Sequence, residues 1–307
     1  MSVLYVVATP IGNLEDMTYR AVSVLKQVDY IAAEDTRHSK KLLVHYGIDT
    51  PMLSYHEHNE NESSAGLISL MAQGKSIALI SDAGTPLIAD PGYRLVQQAR
   101  EQNLAVVPIP GCSAAVAALS VSGMSTDRFC FEGFLSAKAV ARRNELEALT
   151  TETRTMVFYE APHRVAETVS MMADVLGSGR RVILGREITK HYEQFWQGTL
   201  AAAISAFDED QIVSRGEFVI IVSGNKEQSG LYDEEVLMRL LLTELPPRKA
   251  AKLAHKLTGA SKKSLYEISL AQKDRPEVTD LVPDTLSDTR SETTPETTPD
   301  LNQDPKN

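Results

Sequence analysis

Short apolar runs alternate with amphipathic stretches over about the first 120 residues of the chain. Apolar runs of this length predict β-strands, and stretches with apolar residues every three or four positions predict helices. Strands are predicted at 4–8, 30–33, 77–81 and 105–109, and helices near 18–28, 36–46, 62–73, 92–102 and 113–122. This alternation indicates an open, mostly parallel α/β sheet, which binds ligands beyond the carboxyl ends of its strands.

A second block of similar character follows, so the pattern predicts two α/β lobes at residues 1–122 and 123–225. Its strands are predicted near 129–133, 155–160, 181–186 and 217–222, and its helices at 138–149 and 162–176. Residues 226–275 then predict a small basic domain of three short helices that resembles a helix-turn-helix. Residues 276–307 repeat Thr, Pro and acidic residues without an aromatic, which predicts a disordered tail.

Composition indicates a packed soluble protein, with 43% apolar and 23% charged residues. No apolar run approaches the roughly 18 residues that would span a bilayer. The first residues lack the basic segment of a signal peptide. The two cysteines, Cys112 and Cys130, have neither the number for a disulfide framework nor metal-ligand spacing. We therefore expect a cytoplasmic protein without a metal site.

The charge is unevenly distributed along the chain. Residues 274–307 carry nine acidic and three basic side chains, a net charge of −6 out of −10 for the whole chain. Residues 248–263, in contrast, contain six basic side chains and no acidic one. A local basic surface matters more for phosphate contacts than the overall charge, so net charge does not exclude a nucleic-acid partner.

Two loops follow the first two predicted strands. TPIGNL, at 9–14, forms a tight turn without the Gly-Lys-Ser/Thr of a Walker loop or the spacing of a dinucleotide fingerprint, and a structural turn explains it as well as a binding loop does. The absent fingerprint also argues against a Rossmann oxidoreductase. EDTR, at 34–37, lies at the ligand edge of the sheet. A helix N-cap by Asp35 or Thr36 explains this segment as well as a binding role does. Arg37, His38, Lys40 and Lys41 are also candidates for phosphate contacts, although a solvated helix face has the same pattern.

Two further loops follow the third and fourth strands. SDAGTPLIADPG, at 81–92, contains two glycines, which allow the backbone to approach a flat ligand closely. One of its aspartates can form an ion pair with a positively charged cofactor. The alternative is an ordinary long turn. PGCSAA, at 110–115, opens a helix whose first amide groups are free to bind.

In order along the chain, these four loops and the later segments FEGF, YEAPHR, REITKHYE and RGEFVIIV resemble the motif series of RsmI-type enzymes. These are bacterial cytidine 2′-O-methyltransferases of small-subunit (16S) ribosomal RNA. They belong to the class III tetrapyrrole methylase superfamily, which depends on S-adenosylmethionine (SAM). The match covers about residues 1–225 and extends to about 272. The resemblance implies two lobes with SAM in the cleft between them, a homodimer, and ribosomal RNA, within the small subunit, as the partner.

The resemblance also implies which residues contact SAM. They lie on all four loops of the first lobe or at the strand ends of the second: Pro10, Ser81, Asp82, Ala83, Gly84, Thr85, Pro86, Leu87, Ile88, Ala89, Ser113, Ala114, Tyr159 and Gly216.

Two charged clusters of the second lobe are candidates for the chemistry of methyl transfer. A ribose hydroxyl is a weak acid, so a nearby base or cation assists its deprotonation. We expect Glu187 or His163 to accept the proton while Arg164, Arg186 or Lys190 holds a phosphate. The alternative is that salt bridges between Glu160 and Arg164, and between Arg186 and Glu187, only fix the cleft.

The basic helical segment predicts an RNA-docking face, built from Arg248, Lys249, Lys252, Lys256, Lys262 and Lys263. The first four recur at one-turn spacing on a predicted helix, although a solvated helix face has the same pattern. The alternatives to an RNA methyltransferase are a related enzyme of a tetrapyrrole or protein substrate, and a DNA-binding regulator that leaves the loop series unexplained.

Overall fold

The computed structural model describes residues 2–56, 60–225, 234–258 and 260–271. The chain divides into two compact units, with the boundary after residue 231. The first unit contains both predicted lobes, and the second contains the basic helices. The predicted acidic tail at 276–307 lies outside the described residues, and the predicted boundary at 122 remains a prediction.

The first lobe is an entirely parallel sheet of five strands in the order β3-β2-β4-β1-β5. The strands are β1 (Val3–Val7), β2 (Tyr30–Ala33), β3 (Met52–Ser54), β4 (Ile77–Ile80) and β5 (Ala105–Ile109). The helices are α1 (Tyr19–Gln27), α2 (Thr36–His45), α3 (Glu60–Ala72), α4 (Tyr93–Glu101) and α5 (Ala114–Val121). The predicted open, mostly parallel α/β sheet is confirmed. The three-residue edge strand β3 was not predicted, because it is too short to show a pattern.

Helices cover both faces of this sheet. Leu25 of α1 and Leu43 of α2 pack in one apolar cluster, and Met71 of α3 and Leu95 of α4 pack in the other. Side chains fix where two helices begin: Thr18 accepts a hydrogen bond from Ala21 N at the start of α1, and Asp35 accepts one from Arg37 N at the start of α2. The strands therefore end in loops along one sheet edge.

The second lobe is a mixed sheet in the order β6-β7-β10-β8-β9, in which only β6 and β7 are parallel. Its strands are β6 (Phe129–Phe134), β7 (Thr155–Glu160), β8 (Arg181–Arg186), β9 (Gln194–Thr199) and β10 (Phe218–Val222). Its helices are α6 (Ala139–Ala148), α7 (Val165–Leu176) and α8 (Leu200–Asp208). Strand β9 and helix α8 were not predicted from the sequence.

The two lobes share an apolar contact that positions the cleft. Ala115 and Leu119 of α5 pack in one cluster with Val157 of β7 and Val219 of β10. The first lobe's last helix thus lies on the second lobe's sheet, and the strand-end loops of the first lobe face the strand ends of the second.

The second unit consists of three helices: α9 (Glu234–Glu244), α10 (Pro247–Thr258) and α11 (Lys262–Ala271). Met238, Ala250, Ala254 and Leu265 form its buried core. Helix α10 begins at Pro247, because proline is favoured in the first turn, where its missing N–H costs nothing. No helix among the described residues has both the length and the apolar character to cross a membrane.

Candidate active site

A cavity of about 310 Å³, called here the cleft cavity, lies between the two lobes. Small and apolar residues dominate its wall on the first-lobe side, and aromatic and acidic residues are added from the second lobe. The first-lobe residues are Ile11, Ala83, Gly84, Thr85, Ile88, Ala89, Asp90, Ser113 and Ala114. The second-lobe residues are Phe134, Tyr159, Glu160, Ala161, Pro162, Ile188, Glu217, Phe218 and Val219.

Hydrogen bonds between loops fix the first-lobe wall of this cavity. Thr9 and Gly84 exchange two backbone hydrogen bonds, of 2.9 and 3.1 Å. The Thr85 hydroxyl donates to the Cys112 carbonyl oxygen at 2.8 Å. The loops after β1, β4 and β5 are therefore held as one surface before any ligand arrives.

The backbone is strained in two loops at the site. Leu87 and Ala89 have φ of 72° and 68°, and Glu187 and Thr189 have φ of 50° and 66°. Such left-handed conformations cost about 1–3 kcal/mol each in residues with a side chain and cluster at functional sites. The described residues contain only two others outside glycine, Asn103 and Asp210, and these residue types tolerate the conformation.

Tyr159 joins the two lobes at the cavity wall. Its hydroxyl oxygen accepts a hydrogen bond of 3.1 Å from Ala115 N, at the start of α5. Its ring makes edge contacts with Phe131 and Phe134, with ring centres 4.9 and 5.6 Å away. Burial raises the pKa of Tyr159, so its hydroxyl stays neutral. The cavity thus has a rigid aromatic side.

Asp90 is a cavity residue that the sequence analysis did not single out. Burial raises the pKa of its carboxyl to about 7, against an opposing hydrogen bond with Ser81. The negative charges of Glu34 and Asp82 raise it further. A carboxyl with this pKa changes charge near neutral pH. It lies in the loop at 81–92 that was singled out, one residue beyond the segment assigned to the cofactor.

Most of the residues predicted to contact SAM lie together. Eight of them line the cleft cavity: Ala83, Gly84, Thr85, Ile88, Ala89, Ser113, Ala114 and Tyr159. Pro10, Ser81 and Asp82 line a neighbouring cavity instead. Pro86, Leu87 and Gly216 line neither.

The neighbouring cavity, called here the second cavity, has a volume of about 390 Å³. It shares Ile11, Ala83 and Glu217 with the cleft cavity. Its other lining residues come from the segment after β1, from α2, and from the loops after β4 and β8: Pro10, Gly12, Leu14, His38, Ser39, Lys41, Leu42, Ser81, Asp82 and Lys190. Two cavities with one common wall suit a donor and an acceptor of a transferred group.

Three charged side chains form a network beside this common wall. Lys190 Nζ lies 2.9 Å from Glu187 Oε1 and 3.0 Å from Glu217 Oε2. Glu187 Oε1 also accepts a hydrogen bond of 2.9 Å from Glu217 N. Lys190 lines the second cavity and Glu217 lines both, whereas Glu187 lines neither. Glu217, which was not predicted, is therefore the member of the network that lines both cavities, and its side chain is 77% exposed; Glu187 contacts both Glu217 and Lys190.

The network fixes the charge of its members. Burial by itself lowers the pKa of Lys190, but its hydrogen bonds with Glu187 and Glu217 raise it above the ordinary value. Burial raises the pKa of Glu187, but the hydrogen bonds from Glu217 N and Lys190 outweigh it and lower the pKa overall. At neutral pH the lysine is thus an ammonium and Glu187 a carboxylate, which makes Glu187 a weak base.

Two glycines make room for this network. A Cβ on Gly216, whose φ is 81°, would collide with the Glu187 carboxyl group. A Cβ on Gly12 would collide with Lys190 Cγ and approach Thr189 Oγ1 to 2.9 Å. Gly216 therefore serves the placement of Glu187, and its contact with the cofactor stays a prediction.

The other predicted catalytic residues lie outside the cavities. Arg164 forms an ion pair of 2.5 Å with Glu160, and both side chains are largely buried. The predicted salt bridge between Glu160 and Arg164 is therefore present, and whether it only fixes the cleft stays open. Arg186 donates to the carbonyl oxygens of Arg215 and Tyr192, rather than pairing with Glu187. His163 is exposed in the turn before α7 and lines neither cavity.

Of the basic residues predicted to contact RNA, Arg164 is largely buried and the other seven are exposed. Arg37, whose side chain is 90% exposed, pairs with Asp35 at 2.9 Å. Asp35 also caps α2, which confirms the capping interpretation of EDTR, and the contact of Arg37 with phosphate stays a prediction. In the second unit, Arg248, Lys252 and Lys262 line one depression with Tyr266. Lys249, Lys256 and Lys263 are exposed outside it. None of these six cations forms an ion pair within the described ranges.

Comparison with known families gives matches to both units. A model of the tetrapyrrole (corrin/porphyrin) methylases matches residues 3–204, and a model of the RsmI C-terminal HTH domain matches residues 233–273. In the residues that the structure describes, no cluster of His, Cys, Asp or Glu has the arrangement of a metal site.

Several curated relatives, 46–49% identical to the chain, carry the name ribosomal RNA small subunit methyltransferase I. The protein of Haemophilus influenzae is 48% identical over 278 residues, which cover 89% of this chain and 98% of that protein. The protein of Escherichia coli O157:H7 is 46% identical over 272 residues, covering 88% and 95%.

Solved structures with the same fold have low sequence identity. Uroporphyrin-III-C-methyltransferase from Thermus thermophilus aligns with a TM-score of 0.53 and 16% identity, over 73% of this chain and 94% of that one. Diphthine synthase aligns with a TM-score of 0.58 and 13% identity, over 73% and 90%. These alignments support the fold alone.

The matches confirm the predicted class of enzyme, a methyltransferase that uses SAM as its methyl donor. The family model covers well over half of the chain, and the matched range includes most of both lobes. The chain therefore belongs to the tetrapyrrole (corrin/porphyrin) methylase family and, within it, groups with the small-subunit ribosomal RNA methyltransferases I.

Proposed function

We propose that the chain methylates the ribose 2′-hydroxyl of a cytidine in small-subunit (16S) ribosomal RNA. The structural observation that best supports this proposal is the common wall of the two cavities, with the ion pair of Lys190 and Glu217 beside it. The names of the relatives support ribosomal RNA as the substrate. The cytidine and the ribose oxygen follow from the resemblance of the motif series.

The cleft cavity fits SAM by its chemistry. Gly84, Ala89 and Ala114 leave room for a flat purine, and Tyr159 and Phe134 supply apolar ring surface. When the Asp90 carboxyl is ionised, it attracts a positive charge on the ligand. When bound there, SAM supplies a methyl group on a positively charged sulfur. Ser113, Ala114 and the loop at 83–90 would hold it.

The chain's own residues then position the acceptor and stabilise charge. Most of the rate of such a transfer can come from holding the reacting atoms in line, worth roughly 7–11 kcal/mol in favourable cases. As the ribose hydroxyl loses its proton, negative charge develops on its oxygen, and the Lys190 ammonium is fixed beside that charge. Glu217 accepts the proton, and Glu187 keeps both groups in place.

RNA contacts beyond the reacting nucleotide are proposed for the exposed cations. The depression formed by Arg248, Lys252, Lys262 and Tyr266 combines charge for phosphates with one ring for a base. Lys249, Lys256 and Lys263 extend that charge, and Arg37 adds a cation near the second cavity. Phosphate contacts of this kind position an RNA without reading its sequence.

We further propose that the protein is a cytoplasmic homodimer whose substrate is the small ribosomal subunit. Val116 and Val121 of α5 are 59% and 62% exposed, and Phe129 on the edge strand β6 is 43% exposed. Exposed large apolar side chains of this kind favour contact with a second copy of the chain.

The test uses purified protein, tritium-labelled SAM and small ribosomal subunits from cells that lack the enzyme. We expect label in one cytidine of the ribosomal RNA, at a position that resists alkaline cleavage, because a 2′-O-methyl group blocks that reaction. Label on a base or on a ribosomal protein would refute the ribose assignment. Absence of label, with SAM binding intact, would refute ribosomal RNA as the substrate.

A further inference from the structure

The second cavity has a chemical character that the cofactor does not explain. Ile11, Leu14 and Leu42 form an apolar wall, and Lys41, His38 and Lys190 place nitrogen atoms around it. A nucleotide has the matching features, since its base has two flat apolar faces and its phosphates attract cations. The cavity opens on the same wall as the cleft cavity, so a nucleotide seated there brings its ribose toward Glu217.

One side chain of this cavity lacks the partner that its burial requires. Ser39 on α2 is 2% exposed, and its Oγ has no hydrogen-bond partner within the described part of the chain. Buried hydroxyl groups are nearly always paired, because an unpaired one costs about 1–3 kcal/mol. A lone buried hydroxyl in the lining of a cavity indicates a polar group of a ligand as its partner.

A carboxylate faces the same cavity. Asp82 is partly buried, and its Oδ1 accepts a hydrogen bond of 3.1 Å from Asp35 N, which fixes the orientation of the group. Carboxylates recognise the exocyclic amino group of cytosine, whereas uracil presents a carbonyl oxygen at that position and is repelled. The serine hydroxyl can donate to or accept from the neighbouring edge of the base.

We propose that the second cavity binds the base of the acceptor cytidine, turned out of the RNA stack, with Asp82 and Ser39 contacting its polar edge. This inference rests on the proposed function and deepens it by assigning the acceptor subsite. Turning the nucleotide out costs unstacking energy, and the apolar wall of Ile11, Leu14 and Leu42 offsets part of it. Selection of cytidine then takes place in a cavity that SAM does not occupy.

The first test is Ser39→Ala, which separates a ligand role from a structural one. Because Ser39 Oγ has no hydrogen-bond partner among the described residues, we expect the melting temperature to stay equal or rise, and SAM affinity to stay within about twofold. The KM for small subunits should rise between about threefold and tenfold, the value of one lost hydrogen bond. An unchanged KM would overturn the role of Ser39. A lower melting temperature with an unchanged KM would show a structural role instead.

The second test blocks the cavity at its exposed rim. Leu14 is 39% exposed and lines the second cavity, so Leu14→Trp can fold and fill the space. Its matched control is Val44→Trp, at a site on α2 that is 69% exposed and lines neither cavity. We expect Leu14→Trp to lower kcat/KM for small subunits by about 100-fold at unchanged SAM affinity, because the ribose is displaced from the common wall.

The control should methylate at the wild-type rate. If Leu14→Trp also does so, the second cavity is not the acceptor subsite, although the proposed function stands. If the wild-type protein labels no ribose in the subunit, the proposed function fails first, and the acceptor subsite fails with it. Label in wild-type protein and its loss in Leu14→Trp alone would support both.

Discussion

The two lobes of the first unit contribute to one site in different ways. The first lobe has a fully parallel sheet, so its strands end together, and their loops form a continuous surface of small residues. The second lobe has a mixed sheet, and its contribution is a compact charged network, Lys190 with Glu187 and Glu217. Under the proposed function this difference amounts to a division of work: the first lobe supplies the preformed loop surface for the ligands, and the second lobe adds the fixed charges that act on the acceptor.

The largest expected effect comes from filling the cleft cavity on the first-lobe side. Ala114→Trp places a bulky ring in the wall of the cavity, and overpacking of this kind should weaken SAM binding about 100-fold. Its matched control is Ala201→Trp, near the start of α8, where the alanine is exposed and lines neither cavity. Calorimetric titration with SAM measures both. Equal affinities in the two variants would mean that the cleft cavity does not hold the cofactor.

A change in the second lobe should affect turnover and spare SAM binding. Gly216→Ala puts a Cβ against the Glu187 carboxyl, so the network is displaced and kcat should fall by between about tenfold and 100-fold. Gly47→Ala is the control, because Gly47 also has a positive φ, of 59°, but has open space around the added Cβ. Both variants should lose about 1–2 kcal/mol of stability from the left-handed backbone. The control should keep its kcat. If Gly216→Ala also kept full kcat, the network would have no part in turnover.

The pH dependence of SAM binding sharpens the role of the first lobe. The pKa of Asp90 is raised to about 7, so the carboxyl becomes charged as the pH rises through that value. Affinity for the positively charged cofactor should therefore increase by up to about tenfold between about pH 6 and pH 8, and Asp90→Asn should abolish the increase.

A raised carboxyl pKa also means that the native state holds this proton more tightly than the unfolded chain. Asp90 then makes the protein without cofactor less stable as the pH rises from 3.8 to about 7. An identical pH profile of affinity in Asp90→Asn would remove Asp90 from the cofactor site.

The smallest effect is expected from the second unit. The double variant Lys252→Glu, Lys256→Glu should weaken binding to small subunits by about threefold to tenfold without changing SAM affinity, because exposed charges contribute little each. It should also reduce the salt dependence of binding. The matched control reverses two exposed cations of α1, Arg20→Glu and Lys26→Glu. Equal losses in the two double variants would indicate a general charge effect and not a docking face.

Most elements of the fold were predictable because their patterns are strong. The strands β2, β7 and β8 have the predicted bounds, since each is an apolar run with polar or turn residues on both sides. Strand β9 was missed because its sequence, QFWQGT, mixes polar and aromatic residues on an edge strand. Helix α8 was missed because LAAAIS is too uniformly apolar to show a helical period.

The site was predictable where it depends on loops and not where it depends on backbone conformation. The loops at 81–92 and 110–115 could be found because they follow strands of a parallel sheet. The positions of Glu217 and Glu187 could not be told apart, because they depend on the positive φ values of Glu187 and Gly216, and only Glu217 lines the cavities. His163 and Arg164 follow a strand as well, but their turn directs one to solvent and the other to Glu160.

The most direct test of the division of work is the single-turnover rate of methyl transfer in Lys190→Met, at saturating SAM and small subunits. Removing a fixed charge from a developing anion should slow the transfer about 100-fold, while SAM affinity stays at the wild-type value and Lys190→Arg recovers part of the rate. A wild-type rate in Lys190→Met would contradict the assignment of the chemistry to the second lobe.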